Sequence, residues 1–403
     1  MSPQIGNFEL CAIIRDHIAQ SPEQRMTFAA FMDLALYQPD HGYYRVGSSQ
    51  LGMAGDFATS AHLGPDFAEL LTEQLVDMWQ RLDCPDPFHV IEMGAGQGLI
   101  AAGILAYLKQ RYPSCLAALR YTLIETSPAL RGAQQARLAR WQPEVAINWG
   151  DLTDLSPGSV TGCIFSNELV DALPVHRVVL GAEGLQEQYV VCNETEPFAF
   201  ELVPGPLSTS ALADYLAAVG VAITTPAYPL GYVTEINLAA LTWLADVADK
   251  LHQGYLLTID YGYAAERYYR PSRSQGTLQC YTRHAHHNEP LINIGRQDIT
   301  AHVDFTALER QGDRCGLETL GNVPQELFLM ALGLGDRLNQ LAQIETTDVQ
   351  TIRAALQRRE ALHQLMNPLG LGKFNVLVQA KGLTQPAQRQ LKGTTMPPLT
   401  SPL

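Results

Sequence analysis

The chain has 403 residues, a formal net charge of −14 and only 17% charged residues, with 27 Lys and Arg against 41 Asp and Glu. So acidic a balance argues against a nucleic-acid footprint, which rests on clustered positive charge, and it favours a basic or arginine-bearing partner. The length suffices to bury a full core in one large domain or in two to three ordinary ones.

Residues 1–25 mix charges around "CAIIRDHIAQ", without the apolar core of a secretory signal or the Arg-rich, acid-poor character of a transit peptide. The longest apolar run, near residues 99–108, is about half of the ~20 residues that a membrane span needs, so no membrane insertion is expected. Seven scattered cysteines with no C-x-x-C pair read as reduced thiols. A cytoplasmic protein is the expectation.

Two helical patterns open the chain, over residues 8–20 and then "MTFAAFMDLALY", with Thr27 as N-cap and Phe28, Phe31, Met32 and Ala35 on one face. The stretch "QPDHGYY" breaks the helix. A Gly-rich loop, "GMAGDFATS", leads to an amphipathic helix bearing Phe67, Leu70, Leu71, Gln74, Met78 and Leu82. Residues 1–84 therefore read as a helical cap with a lid loop. From residue 88 short apolar runs alternate with helical patterns: "FHVIEM", "RYTLIE", "EVAINW", "VTGCIFS", then "YLLTID" and "FNVLVQA". That alternation marks βαβ units and a Rossmann-like α/β sheet across residues 85–392. Residues 175–232 interrupt it with period-two strands, an antiparallel insertion, and residues 393–403 read as a disordered tail.

The first core strand ends in "VIEMGAGQG". Gly94, Gly96 and Gly98 open a helix, the place where a doubly wound sheet holds its ligand. A dinucleotide loop, G-x-G-x-x-G, wants a small third residue for close helix packing, and Leu99 stands there instead. The added acid, Glu92, suits a ligand with no phosphate and with a positive amino group and sulfonium, which describes S-adenosylmethionine. Glu125 ends the second strand, where a carboxylate accepts ribose hydroxyls, and Asp151, followed by Leu152, ends the third, facing an adenine amino group.

Beyond the fourth strand, "FSNELVDALPVH" brings Asn167 to the cofactor side and Glu168 and Asp171 to the substrate side. Methyl transfer is an in-line displacement that needs alignment and charge stabilisation. A guanidinium acceptor calls for paired carboxylates, and Glu168 and Asp171, three apart at a helix start, form a candidate clamp. Helix capping by Asp171 is the plainer alternative.

Together these segments resemble the MidA family of class I S-adenosylmethionine-dependent methyltransferases, from about residue 25 to 381. The resemblance is carried by "MTFAAFMDLALYQPDHGYY", "GDFATS", "IEMGAGQG", "IETSPALR", "SNELVDALPV", "IDYGY", "GTLQCY" and "DITAHVDF". It implies a seven-stranded sheet, cofactor contact through the three glycines with Glu125 and Asp151, and a lid carrying Gly55, Asp56, Thr59 and Ser60 at the cofactor. Mitochondrial members of that family are complex I assembly factors that methylate an arginine of the quinone-site subunit. The implied partner is thus a complex-I-like subunit.

Other residues carry two readings each. His302 in "ITAHVDF" orients the acceptor or relays its proton, or is structural, and Asp304 either joins it or caps a helix. Asp260 ends a strand on the same edge. Tyr43 and Tyr44 either wall the pocket or pack. His284, His286 and His287 lack supporting ligands and read as a polar loop, so no metal is expected. A nicotinamide oxidoreductase, a cofactor-binding scaffold without catalysis and a small-molecule methyltransferase remain the competing functions, and a homodimer stays open.

Overall fold

The computed structural model describes residues 6–46, 60–195, 198–282 and 285–395. Two helices come first: α1 (Phe8–Gln20), capped by Asn7, and α2 (Phe28–Tyr37), where the Thr27 hydroxyl accepts the Ala30 N–H at 3.2 Å. The longer helices that follow are α3 (Pro65–Arg81), α4 (Leu99–Arg111), α5 (Pro128–Leu138), α6 (Leu238–Lys250), α7 (Phe305–Arg314), α8 (Leu334–Ala342) and α9 (Val349–Met366).

The central sheet has seven strands: β1 (Phe88–Met93), β2 (Leu119–Ile124), β3 (Ala146–Gly150), β4 (Val160–Asn167), β5 (Leu251–Asp260), β6 (Glu318–Pro324) and β7 (Asn375–Lys381). Their spatial order is β3-β2-β1-β4-β5-β7-β6, and β7 alone runs against its neighbours. Near-continuous apolar runs make these strands, because both faces are covered. Val90, Cys163 and Tyr255 pack under α3, α4 and α9, whereas Ile91, Ile164 and Leu256 pack under α6 and α7. Strand order reverses between β1 and β4, which opens the crevice that doubly wound sheets use for ligands. The expected seven-stranded Rossmann-like sheet is the observed one.

A second, antiparallel sheet carries the N-terminal helices. Gly184–Cys192 pairs with His176–Gly181, with Phe200–Gly205 and with the two-residue strand Met26–Thr27. His176–Gly181 also pairs with Val233–Ile236, so the insertion includes a strand just past the predicted boundary at 232. α1 and α2 bury their apolar faces on Val190, Phe200, Cys280 and Ile299. The cap therefore rests on the insertion and on a small sheet of Gln279–Thr282, Ala285–His287 and Asp298–Thr300. That sheet places His286 and His287 in a strand where a loop was expected, and His284 lies outside the described residues.

Two expectations about the ends are corrected. α3, grouped by sequence with the cap, buries Phe67, Leu70, Leu71 and Leu75 in the core of the central sheet. Its apolar stripe is too wide to be covered by two short helices. The tail holds its order through residue 395, because Lys392 N–H donates to Asp77 Oδ2 at 2.9 Å and Gly393 N–H to Gln74 Oε1 at 2.8 Å. Residues 396–403 lie outside the described part. Among the described residues, no helix is long and apolar enough to cross a membrane.

Asp66, in the first turn of α3, ties this sandwich to the C-terminal helices. Its carboxylate, 4% exposed, accepts from Arg337 at 2.7 Å and from Arg358 at 2.6 and 2.8 Å. Burial alone would raise the Asp66 pKa, but the hydrogen bonds from Arg358 and Arg337 outweigh it and hold the group below the ordinary aspartate range. Asp66→Asn should lower unfolding stability at pH 7 by about 2–3 kcal/mol, under the full cost of orphaning a buried charge because Arg358 can turn to water. Urea denaturation checks this. The gap to wild type should close as pH falls through the depressed Asp66 pKa, since the carboxylate's contribution exists only above it.

Candidate active site

At the carboxyl edge of the sheet lies a cavity of about 520 Å³, floored by the loop after β1 and walled by the turn after β4. Gly94, Gly96 and Gly98 have φ of +68°, +52° and +71°, a region that costs any residue with a Cβ about 1–2 kcal/mol. A Cβ on Gly94 would meet Leu169 Cδ1 at 2.9 Å, while one on Gly96 would point into open space. The loop is thus a bare backbone cradle that any side chain would fill. Gly94 N–H donates to Ile124 O at 2.9 Å and ties it to β2.

Two buried carboxyls flank the cradle. Glu92 is 2% exposed and accepts the Tyr121 hydroxyl at 2.6 Å. Burial pushes its pKa up to about 8, against the lowering effect of that hydrogen bond and with a further push from Glu125. Glu125 Oε1 accepts Ser127 N–H at 2.9 Å, and its Oε2 accepts Gln134 Nε2 at 3.4 Å. Burial raises Glu125 as well, though the N–H groups of Ser127, Gly96 and Thr126 restrain it. Gln134, invisible to motif reading, is the joint of this half: its amide also donates to Gly96 O at 2.7 Å and accepts from Trp149 Nε1 at 3.0 Å. Its signal was position, one turn and a half into the helix after Glu125.

The turn after β4 is held by the end of β5. Glu168 N–H donates to Ile259 O at 2.9 Å, and the N–H groups of Val170 and Asp171 donate to Asp260 Oδ2 at 2.9 and 3.3 Å. These bonds support a φ of +54° at Glu168, an unusual conformation for a non-glycine residue. That backbone turns the carboxyl toward the cavity, where Glu168 Oε1 accepts Asn167 Nδ2 at 3.2 Å and Ser60 N–H at 3.4 Å. Burial, with Asp171 and Asp298 nearby, pushes Glu168 up to about 8. Asn167 Oδ1 is buried on the same wall without a partner among the described residues.

The predicted clamp of Glu168 with Asp171 does not form. A helix start would place residues three apart on one face, but the segment is a 3₁₀ turn (Val170–Ala172) entered through a left-handed residue. Asp171 is instead buried behind the wall, where burial pushes it up to about 6 against a hydrogen bond from the Tyr261 hydroxyl. Asp260 lies beside it, raised well above its ordinary range by burial and by Asp171. Among the described residues none of Glu168, Asp171 and Asp260 has an ion-pair partner.

Aromatic side chains also line the cavity. Tyr37 and Tyr44 line the cavity with ring centroids 5.6 Å apart and planes within 23°. Tyr37 donates to Ala172 O at 2.9 Å and Tyr44 to Asp298 Oδ1 at 2.8 Å. Tyr43 packs in the core, as the plainer reading had it. Sequence reasoning singled out none of Tyr37, Asp33, His62 and Trp243 for this cavity.

The remaining candidates lie elsewhere. Asp151 is 60% exposed and 3.6 Å from Arg131, and neither it nor Leu152 lines the cavity. His302 stacks on Tyr263 and meets Tyr261 edge-on, away from the cavity, and burial pushes it down to about 4, so the imidazole is neutral at pH 7. Asp304 caps α7, accepting Ala307 N–H at 3.2 Å. Ser60 meets Glu168 through its N–H, whereas Gly55, Asp56 and Thr59 lie outside the described residues.

The donor set fits the sulfonium nucleoside expected from sequence: bare backbone and acids for a cationic end, a second acid for hydroxyls. Residues 70–323 match the family described as "Putative S-adenosyl-L-methionine-dependent methyltransferase". A Burkholderia thailandensis protein described as a "likely methyl transferase", bound to S-adenosyl-homocysteine, superposes with a TM-score of 0.82 at 32% identity, covering 96% of this chain and 94% of that one. The human "Protein arginine methyltransferase NDUFAF7, mitochondrial" is 26% identical over 379 residues, 87% of this chain and 79% of the relative. Its Drosophila melanogaster homolog is 26% identical over 394 residues, 88% and 81%.

Because Glu92 has a pKa near 8 in the protein alone, a cation seated beside it favours the carboxylate and expels the proton. Affinity for S-adenosylhomocysteine should therefore weaken as pH falls below 8, approaching about tenfold per unit. Calorimetry in buffers of different ionisation enthalpy should report proton release at pH 7. Glu92→Gln should flatten that dependence while Glu168→Gln leaves it.

Proposed function

The chain belongs to this family of S-adenosyl-L-methionine-dependent methyltransferases, and from that membership we propose that it methylates an arginine of a protein, a subunit of a complex-I-like enzyme, in the cytoplasm. The observation that carries the arginine assignment is the Glu168 carboxyl on the cavity wall, with Asp171 and Asp260 behind it and no ion-pair partner among the described residues. Three buried acids without a fixed cation are costly until a cation arrives, and a guanidinium with pKa above about 12 arrives charged. Tyr37 and Tyr44 line the same cavity, and a ring face turned to the cation would add cation–π attraction. The names of the human and fly relatives support a protein arginine as acceptor, and the resemblance in sequence supports the complex-I-like partner.

S-adenosylmethionine supplies an electrophilic methyl group on sulfur. Glu168 holds the guanidinium by charge-assisted hydrogen bonds and localises its positive charge away from the attacking nitrogen. As the nitrogen–carbon bond forms and the sulfur–carbon bond breaks, that nitrogen sheds one proton, and Glu168 is the base placed to take it. Asp260 acts through the backbone: by accepting two N–H groups it holds the turn that presents Glu168.

Tritiated S-adenosylmethionine incubated with the protein and extract of its own cells should label a protein band, with the methyl group on arginine by mass spectrometry. Glu168→Gln should cut the rate about 10²–10⁴-fold while S-adenosylhomocysteine affinity stays within severalfold. Labelled metabolites without labelled protein would overturn the substrate class. A Glu168→Gln protein that still restored assembly of the partner enzyme in cells would replace catalysis with scaffolding.

A further inference from the structure

Beyond the cavity, one surface feature stands against the acidic character of the chain. The segment "YAAERYYRPSR" carries Arg267, Arg270 and Arg273 within seven positions. The guanidinium carbons of Arg267 and Arg273 lie 4.5 and 4.4 Å from the centroid of the Tyr263 ring. Arg273 is half-buried and donates to Arg267 O at 2.5 Å and to Tyr268 O at 2.9 Å, so it braces the turn. Arg267 and Arg270 are exposed. None of the three is in an ion pair among the described residues, although Glu266 stands exposed beside them. Burial lowers the Arg273 pKa, and Arg270 and Arg267 add repulsion. A chain with 41 acids has thus left three neighbouring arginines unneutralised on an aromatic base.

Ring contacts lead from this ridge to Tyr261, which is tied in two ways to the residues that hold Glu168. The Tyr263 ring stacks on His302 at 5.1 Å and 9°, His302 meets Tyr261 at 5.0 Å, and the Tyr261 hydroxyl bonds Thr300 at 2.7 Å and Asp171. On the other route, Ser60, whose N–H meets Glu168, accepts at its hydroxyl from Gln325, which also bonds Leu371 O at 3.1 Å. Phe374, three residues on, lies 5.3 Å from the Tyr261 ring. The three ring contacts set a ceiling of about 15 Å between Tyr261 and Arg267, which an extended peptide crosses in about five residues at ~3.3 Å each.

We propose that the Arg267–Arg270–Arg273 ridge over Tyr263 docks an acidic segment of the acceptor protein, holding the chain that feeds its arginine to Glu168. The proposal rests on the reading of the cavity as an arginine site. Acidic peptide fits better than the other anions: nucleic acid meets a net charge of −14, and a membrane surface needs exposed apolar side chains, of which residues 261–276 present no large one. Recognition of opposite charge on either side of one acceptor, arginine in the acidic cavity and acids on the basic ridge, also enforces the direction in which the substrate chain lies.

The test uses fluorescent peptides of about fifteen residues with one central arginine, carrying four Asp and Glu residues about five positions to either side, or Asn and Gln in their place. Anisotropy at low salt should show at least tenfold tighter binding of one acidic peptide. Arg267→Glu with Arg270→Glu should reduce that advantage to under threefold, as should ~0.5 M salt, with S-adenosylhomocysteine affinity and thermal melting unchanged. If the double variant melts early, Arg270→Gln alone should still halve the advantage or more. Equal binding of acidic and neutral peptides, or an advantage that survives charge reversal, overturns the ridge as a docking site. So does binding to phosphatidylserine vesicles that matches the acidic peptide and is lost in the variant. Replacing the central arginine by citrulline separates the two readings: a retained acidic advantage with no methyl transfer to any arginine peptide removes the arginine assignment and leaves the ridge.

Discussion

Four parallel strands, β1, β2, β4 and β5, end at one edge of the sheet, and each brings a carboxylic acid there: Glu92, Glu125, Glu168 and Asp260. Burying like charges together is among the most expensive arrangements a protein can hold. The fold meets that cost with N–H donors and a phenol rather than with cations: Tyr121 for Glu92, Ser127 and Gln134 for Glu125, Asn167 and Ser60 for Glu168, Val170 and Asp171 for Asp260. Because no arginine or lysine of the chain is spent on Glu168 or Asp260 among the described residues, their attraction for positive charge stays available to ligands. Protonation carries the remainder, since Glu92 and Glu168 have pKa values near 8 and rest largely neutral at pH 7.

The N-terminal helices, seated on the antiparallel insertion, bring Asp33, Tyr37, Tyr44 and Arg45 to that edge. They contribute little chemistry of their own, but Tyr37 and Tyr44 enter the cavity from α2 and the turn after it, and α2 is seated by the packing of Phe28, Phe31 and Met32 on the insertion. Burial lifts the Glu92 and Glu168 pKa values, and it strengthens each charge contact inside. The strand Met26–Thr27 is therefore more than decoration: pairing with Tyr189 and Val190 aligns α2 over the crevice. Stability of the cap and electrostatics of the site are one property measured in two ways.

Much of this was legible in the chain because period and order are local. Alternating apolar runs and helices announced the parallel sheet, and Gly94, Gly96 and Gly98 announced a left-handed loop that the dihedrals display. Glu168 was found by its place after the fourth strand. Its partner was not, because the direction of Asp171 depends on one positive φ at Glu168, and that φ is imposed by Ile259 and Asp260, ninety residues away. Tyr37 and Trp243, which reach the cavity, and Gln134, which bonds the loop at Gly96, escaped because each comes from a helix whose sequence shows only an apolar stripe. Asp151 stands at the end of β3, two strands from the crevice and outside the cavity lining, with its carboxylate turned to Arg131 and solvent.

The edge and the rest of the molecule thus divide the labour of charge. Where stability is needed, acids are paired: Asp66 holds two arginines, and Glu187, fully buried, accepts from His176 at 2.7 Å and Ser208 N–H at 2.7 Å. Where ligands bind, acids are left with donors that cannot neutralise them. A residue such as lysine placed near Glu168 would relieve the buried charge and stabilise the protein, and it would also occupy the one site where an incoming cation gains most. Selection for binding therefore keeps this edge strained. On the proposed reading, the positive end of the cofactor at Glu92 and an acceptor cation at Glu168 would each relieve that strain, and each binding event would then also tighten the fold around it.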